Sequence, residues 1–152
     1  KIFRLVSKGK LTEGIFVGET INTPSMLAVE DYIDALEWAD SLGGLEALKA
    51  RANANAAALD AWVQSRAWVE HLAKDAASRS NTSVCLVLPG LTEEQVKAIV
   101  SLLEKEKAAY DIGAYRDAPA GLRIWCGATV DTADIVALTH WLDWAYAEVT
   151  AS

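Results

Sequence analysis

Ser83-Val84-Cys85-Leu86-Val87-Leu88-Pro89-Gly90-Leu91-Thr92-Glu93-Glu94-Gln95 is the stretch that decides the fold. Residues 83–88 are a short apolar run with the length of a buried strand, and Pro89-Gly90 stops it. Thr92 then begins a capping box: its hydroxyl suits the open amides of a helix start, and Gln95, three places on, can reach back to the cap. The helix so opened carries Val96, Ile99, Val100 and Leu103 on one face. A buried strand turning at once into an amphipathic helix is half of a two-layer unit, with sheet below and helix above.

Downstream, Tyr110-Asp111-Ile112-Gly113-Ala114-Tyr115 and Leu122-Arg123-Ile124-Trp125-Cys126 read as a strand pair. Asp131 is placed to cap a final helix whose face is Ile135, Leu138, Leu142, Ala145 and Val149. The order β-α-β-β-α predicts an α+β fold. Strands near 83–88, 110–115 and 122–126 should form a small, mostly antiparallel sheet, with helices near 93–108 and 132–149 packed on one face.

Upstream, Ile2-Phe3-Arg4-Leu5-Val6 and Leu11-Thr12-Glu13-Gly14-Ile15-Phe16-Val17 read as a β-hairpin turning at Ser7-Lys8-Gly9-Lys10. A helix from about Pro24 to Leu42 follows, with Thr23 at the N-cap and Pro24 at the first helical position. Met26, Val29, Ile33 and Leu36 share one of its faces, and Gly43-Gly44 ends it. A second helix runs from about Leu45 to Ser65 on a stripe of Leu45, Leu48, Ala52, Leu59 and Trp62. Trp68-Val69-Glu70-His71-Leu72 reads as a short strand, a continued helix being the alternative.

The chain has 152 residues, enough for one compact core, and 52% of them are hydrophobic. A net charge of −7 argues against general nucleic-acid binding, despite Lys1, Arg4, Lys8 and Lys10 at the start. No apolar run is long enough to cross a membrane. Cys85 and Cys126 both lie in strand-like runs, which suits buried free thiols and a reducing, cytoplasmic setting. His71 and His140 share no metal-ligand spacing with each other or with the cysteines, so no metal site is expected. Of the six tryptophans, Trp62 and Trp125 fit core positions, whereas Trp141 and Trp144 cannot both face the core that Leu138 and Leu142 face.

Two groups of residues could carry chemistry. Asn22 and Thr23 point at the open end of a helix, whose free amides and dipole suit a phosphate; an ordinary helix cap is the plainer reading. Arg116 and Arg123 flank the turn Asp117-Ala118-Pro119-Ala120-Gly121. Two arginines at one end of a strand pair can hold two anionic groups of a small molecule, each through a planar fork. On spacing alone, surface arginines facing water or local carboxylates are the simpler reading.

Ile21-Asn22-Thr23-Pro24-Ser25-Met26-Leu27, Val29-Glu30-Asp31-Tyr32, Arg79-Ser80-Asn81-Thr82-Ser83-Val84-Cys85-Leu86 and Tyr115-Arg116-Asp117-Ala118-Pro119-Ala120-Gly121-Leu122-Arg123-Ile124-Trp125 together resemble the phosphoserine aminotransferases. These are fold-type I enzymes dependent on pyridoxal 5'-phosphate. The resemblance implies that the chain is the C-terminal part of an enzyme more than twice as long. Residues 1–23 would then be a hairpin and phosphate-contact segment left from the large domain, and residues 24–152 the small domain.

The resemblance further implies that Arg116 meets the substrate phosphate and Arg123 the substrate carboxylate. Tyr115 stands where many relatives have histidine, and the two arginines lie one residue further apart than in the common bacterial form. Asn22 and Thr23 match residues that reach the cofactor phosphate of the other subunit of a homodimer. The lysine that holds the cofactor as a Schiff base lies upstream in this family, so no catalytic residue and no bound cofactor are expected here. The implied whole enzyme transfers the amino group of glutamate to 3-phosphohydroxypyruvate, giving O-phosphoserine in serine biosynthesis. A stand-alone α+β regulatory module binding an amino acid or a partner protein is the alternative.

Overall fold

The computed structural model describes residues 4–151. The chain forms two compact units, Lys1–Leu45 and Glu46–Ser152. The sequence predicts a domain boundary elsewhere, between Thr23 and Pro24.

In the first unit, β1 (Val6–Ser7) and β2 (Lys10–Leu11) pair antiparallel. Lys8 and Gly9 turn between them with φ of 50° and 75°, as a tight two-residue hairpin requires. The expected hairpin is much shorter than its sequence suggests. Ile2 and Phe3 lie outside the described residues, and Glu13–Val17, expected as strand, is a 3-10 helix closed by Gly18 at φ 88°. Apolar identity alone does not hold a segment extended when no third strand pairs with it.

Helix α1 (Met26–Ser41) starts two residues later than expected. Its cap is Ser25, whose Oγ accepts from Ala28 N at 3.4 Å, so Thr23 and Pro24 lie ahead of the helix and not in it. Gly43 adopts φ 108°, the left-handed stop the sequence predicts. No residue of α1 is buried; Met26, Ile33 and Leu36 are all exposed.

Helix α2 (Gly44–Gln64) leads into the second unit, followed by β3 (Glu70–His71), β4 (Ser83–Val87), α3 (Glu93–Lys105), β5 (Gly121–Trp125) and α4 (Thr132–Thr150). Strands β3-β4-β5 form one antiparallel sheet. The register sets Val84 against Ile124 and Leu86 against Leu122, and all four are buried. With side chains alternating across a strand, Cys85, Arg123 and Trp125 occupy the opposite face. Helices α3 and α4 pack on each other, and Ile99, Leu103, Ile135 and Leu142 join the buried sheet residues in one core, as do Leu59 and Trp62 of α2. The α+β architecture with helices on one face is therefore as expected. The Thr92–Gln95 capping box is present in both directions. Among the described residues no helix is long and apolar enough to cross a membrane.

Residues 110–115 are not a strand. Only Gly113 bridges β5, opposite Leu122. Asp111 has φ 53°, a left-handed conformation that breaks an extended run but that Asp tolerates better than most residues. Trp125, expected in the core, is 52% exposed; its ring covers Gly127, where an added Cβ would fall 2.3 Å from the indole. Cys126 is buried and Cys85 half-buried, and both are free thiols.

Buried polar groups fasten the second unit. Asn55 on α2 is fully buried and donates to the carbonyls of Cys126, Gly127 and Val130 at 3.2, 3.2 and 2.9 Å. Its own carbonyl accepts from Thr132 Oγ1 at 2.6 Å. Asp131 stands at the α4 N-cap but makes no side-chain cap; its carboxylate binds Arg51 instead, at 2.6 Å.

Candidate functional site

The site is built where β5 begins. Arg123 N donates to Ile112 O at 2.8 Å and Ala114 N to Gly121 O at 3.2 Å, so residues 112–114 lie along β5. On its other side Gly121 is pressed to β4, where an added Cβ would meet Leu86 O at 2.1 Å. A glycine here lets the two backbones close up and fixes where the turn 115–120 springs from the sheet.

Arg123 projects from the sheet face that the helices leave open, directly across from Cys85. Its Nη2 donates to Asp111 Oδ2 at 2.9 Å and to Asp111 O at 3.3 Å. The guanidinium lies over the Tyr115 ring, 4.4 Å from its centre, a cation–π contact that holds its plane. Arg123 Nε is buried with no partner among the described residues. The structure thus joins two of the expected site residues, Tyr115 and Arg123, in direct contact.

Arg116 is exposed and lines an open groove of about 430 Å³ between the 113–121 segment and α3. Tyr115, Lys97, Ser101 and Glu93 share that groove. Lys97 faces Glu93 at 3.9 Å, so the groove has one cation already matched and Arg116 as a second. Arg123 is not among its lining residues.

In the other unit, Asn22 and Thr23 are exposed just ahead of α1. Ser25 uses one free amide of the helix start, and no acidic residue occupies the first turn. Hydroxyls and amides without a carboxylate are a donor set that fits one phosphate group. They offer no amine, so they fit a contact to a phosphorylated cofactor and not its covalent attachment.

Asp111 is the residue of this site that sequence reasoning passed over, because it sat inside an expected strand. A usable signal was present: an aspartate two residues before a glycine suits a left-handed position better than a strand interior. A second polar cluster, His71 Nε2 with Asp60 Oδ1 at 2.8 Å and Arg79 with the same oxygen at 3.5 Å, ties β3 to α2. Among the described residues no group of His, Cys, Asp and Glu is arranged to hold a metal ion.

The fold comes first: the chain shares its α+β fold with part of longer solved chains. A phosphoserine aminotransferase from Bacillus circulans subsp. alkalophilus superposes with a TM-score of 0.75 at 23% identity, over 84% of this chain and 34% of that one. A structure reported for radiation damage of the Schiff base in phosphoserine aminotransferase gives 0.73 at 22% identity, over 84% and 35%. No family model matches the sequence. Curated relatives nevertheless name the family. Phosphoserine aminotransferases of Methanosarcina mazei and Methanosarcina barkeri are 53% and 54% identical over 146 residues, 96% of this chain. That of Corynebacterium glutamicum is 27% identical over 128 residues. By sequence the chain is similar over nearly its whole length to part of the phosphoserine aminotransferases, and it spans about two fifths (39%) of the length of the Methanosarcina relatives.

Proposed function

We propose that this chain is the C-terminal portion of a phosphoserine aminotransferase, which passes the amino group of glutamate to 3-phosphohydroxypyruvate and so makes O-phosphoserine for serine biosynthesis. The observation that carries this reading is identity above 50% across 96% of the chain to proteins of that name. In it, residues 1–23 belong with the large domain and residues 24–152 form the small one. The protein is a cytoplasmic homodimer.

Pyridoxal 5'-phosphate, when bound, supplies the electron sink of amino transfer. This chain's own residues bind and orient. Arg123 holds the substrate carboxylate through its planar fork, and Tyr115 keeps that fork flat. Arg116, at the rim of its groove, meets the substrate phosphate. Thr23 and Asn22 contact the cofactor phosphate of the other subunit, where a hydroxyl and helix-end amides match the anion.

The test uses the full-length protein. It should bind pyridoxal 5'-phosphate and aminate 3-phosphohydroxypyruvate from glutamate, whereas the 152-residue chain alone should do neither. Arg123→Gln should raise KM for the phosphorylated substrate strongly while leaving the unfolding midpoint nearly unchanged. A cofactor-loaded protein without this activity, or an Arg123→Gln variant with normal kinetics, would refute the assignment.

A further inference from the structure

A guanidinium offers a carboxylate two two-point edges, Nε with Nη2 and Nη1 with Nη2. Both edges include Nη2. In this structure Asp111 holds that nitrogen with two oxygens, its carboxylate at 2.9 Å and its own carbonyl at 3.3 Å. The neighbouring Nε is buried and lacks a partner among the described residues, so one edge is half made. The arginine side chain is only 19% exposed while that of Asp111 is 89% exposed. The two partners therefore differ in freedom: the cation is packed in place under Tyr115, and the anion reaches in from solvent.

We propose that Asp111 is a built-in competitor for the substrate carboxylate, a specificity-determining residue of the arginine site. An incoming carboxylate completes the Nε–Nη2 edge by displacing Asp111 Oδ2. The departing side chain can turn into water without disturbing β5, because Ile112 and Ala114 keep the backbone pairing. A ligand able to make only one hydrogen bond gains nothing over Asp111 and is excluded. A two-point ligand, such as the α-carboxylate of an amino or keto acid, gains the unpartnered Nε.

This inference rests on reading Arg123 as the carboxylate residue, and the experiment separates the two. In the full-length protein, Asp111→Asn should lower KM for 3-phosphohydroxypyruvate about two- to fivefold, with kcat nearly unchanged, since exposed ion pairs are worth little each. Asp111→Gly, which suits the positive φ, should shift KM in the same direction. Asp117→Asn removes a nearby exposed charge that does not touch Arg123 and should leave KM unchanged. If Arg123→Gln raises KM but both Asp111 variants leave it unchanged or raise it, the competitor role is wrong and the arginine assignment stands. An equal gain from Asp117→Asn would also overturn it, by showing a general charge effect. If Arg123→Gln leaves KM unchanged, the assignment of the arginine itself fails.

Discussion

Replacing Asn55 with alanine tests whether one buried amide holds the second unit together. The side chain is fully buried and bonded to three loop carbonyls and to Thr132. Its two amide protons and its carbonyl make about three net bonds, each worth about 1 kcal/mol. The alanine also leaves loop carbonyls and the Thr132 hydroxyl buried without this partner, so the expected loss is about 3 kcal/mol. With a urea slope of about 1.5 kcal/mol/M, the midpoint should fall by about 2 M at unchanged slope. Equilibrium urea unfolding followed by tryptophan fluorescence reads this out, since Trp62 is buried in the same core. Asn53→Ala is the internal control: Asn53 is exposed on the same helix and its side chain bonds Asn81 at 2.7 Å on the surface, so its loss should be below about 0.5 kcal/mol. A loss under about 1 kcal/mol for Asn55→Ala, or equal losses for the two variants, would refute the reasoning.

Two further outcomes follow from the buried groups. Burial pushes the Cys126 thiol up to about 11, so alkylation near pH 8 should label Cys85 in the native chain and reach Cys126 only after unfolding; mass spectrometry of the adducts decides this. Asp143 is held below the usual carboxylate range, first by its hydrogen bonds from Arg66, against the opposing effect of burial and with help from Trp62 Nε1. A depressed native value means the pair stabilises above the ordinary aspartate range and loses its contribution as pH falls through the lower native value. Asp143→Asn should therefore be less stable than the parent at neutral pH, with the gap in urea midpoint closing below about pH 4.

Periodic segments were legible in the sequence and one-residue decisions were not. The faces of α3 and α4, the capping box at Thr92 and the strand at 83–87 came from spacing alone, since each buries its stripe in the way the pattern demands. Residues 110–115 look like a strand by composition, yet Asp111 turns left-handed and its oxygens accept from an arginine twelve residues away. Trp125 alternates onto the open face with Arg123, so it escapes the core and lies on Gly127. At α1 the cap moved from Thr23 to Ser25, because both residues have the required hydroxyl and local pattern does not choose between them. Arg123 could be named from the sequence, but its contacts depend on long-range pairing that no local pattern encodes.

The sheet of the second unit has consequences at its margins. On one side β3 offers only two residues, one of them the charged Glu70, paired in turn to Lys74. On the other, the backbone beside β5 is paired to it for only a few residues, and Asp111 bends it away. Neither rim presents the long, flat, apolar row of free amides and carbonyls on which a second chain could add strand after strand. The same kink that brings Asp111 to Arg123 thereby also closes off that rim, so straightening it is expected to raise the tendency to aggregate on prolonged storage.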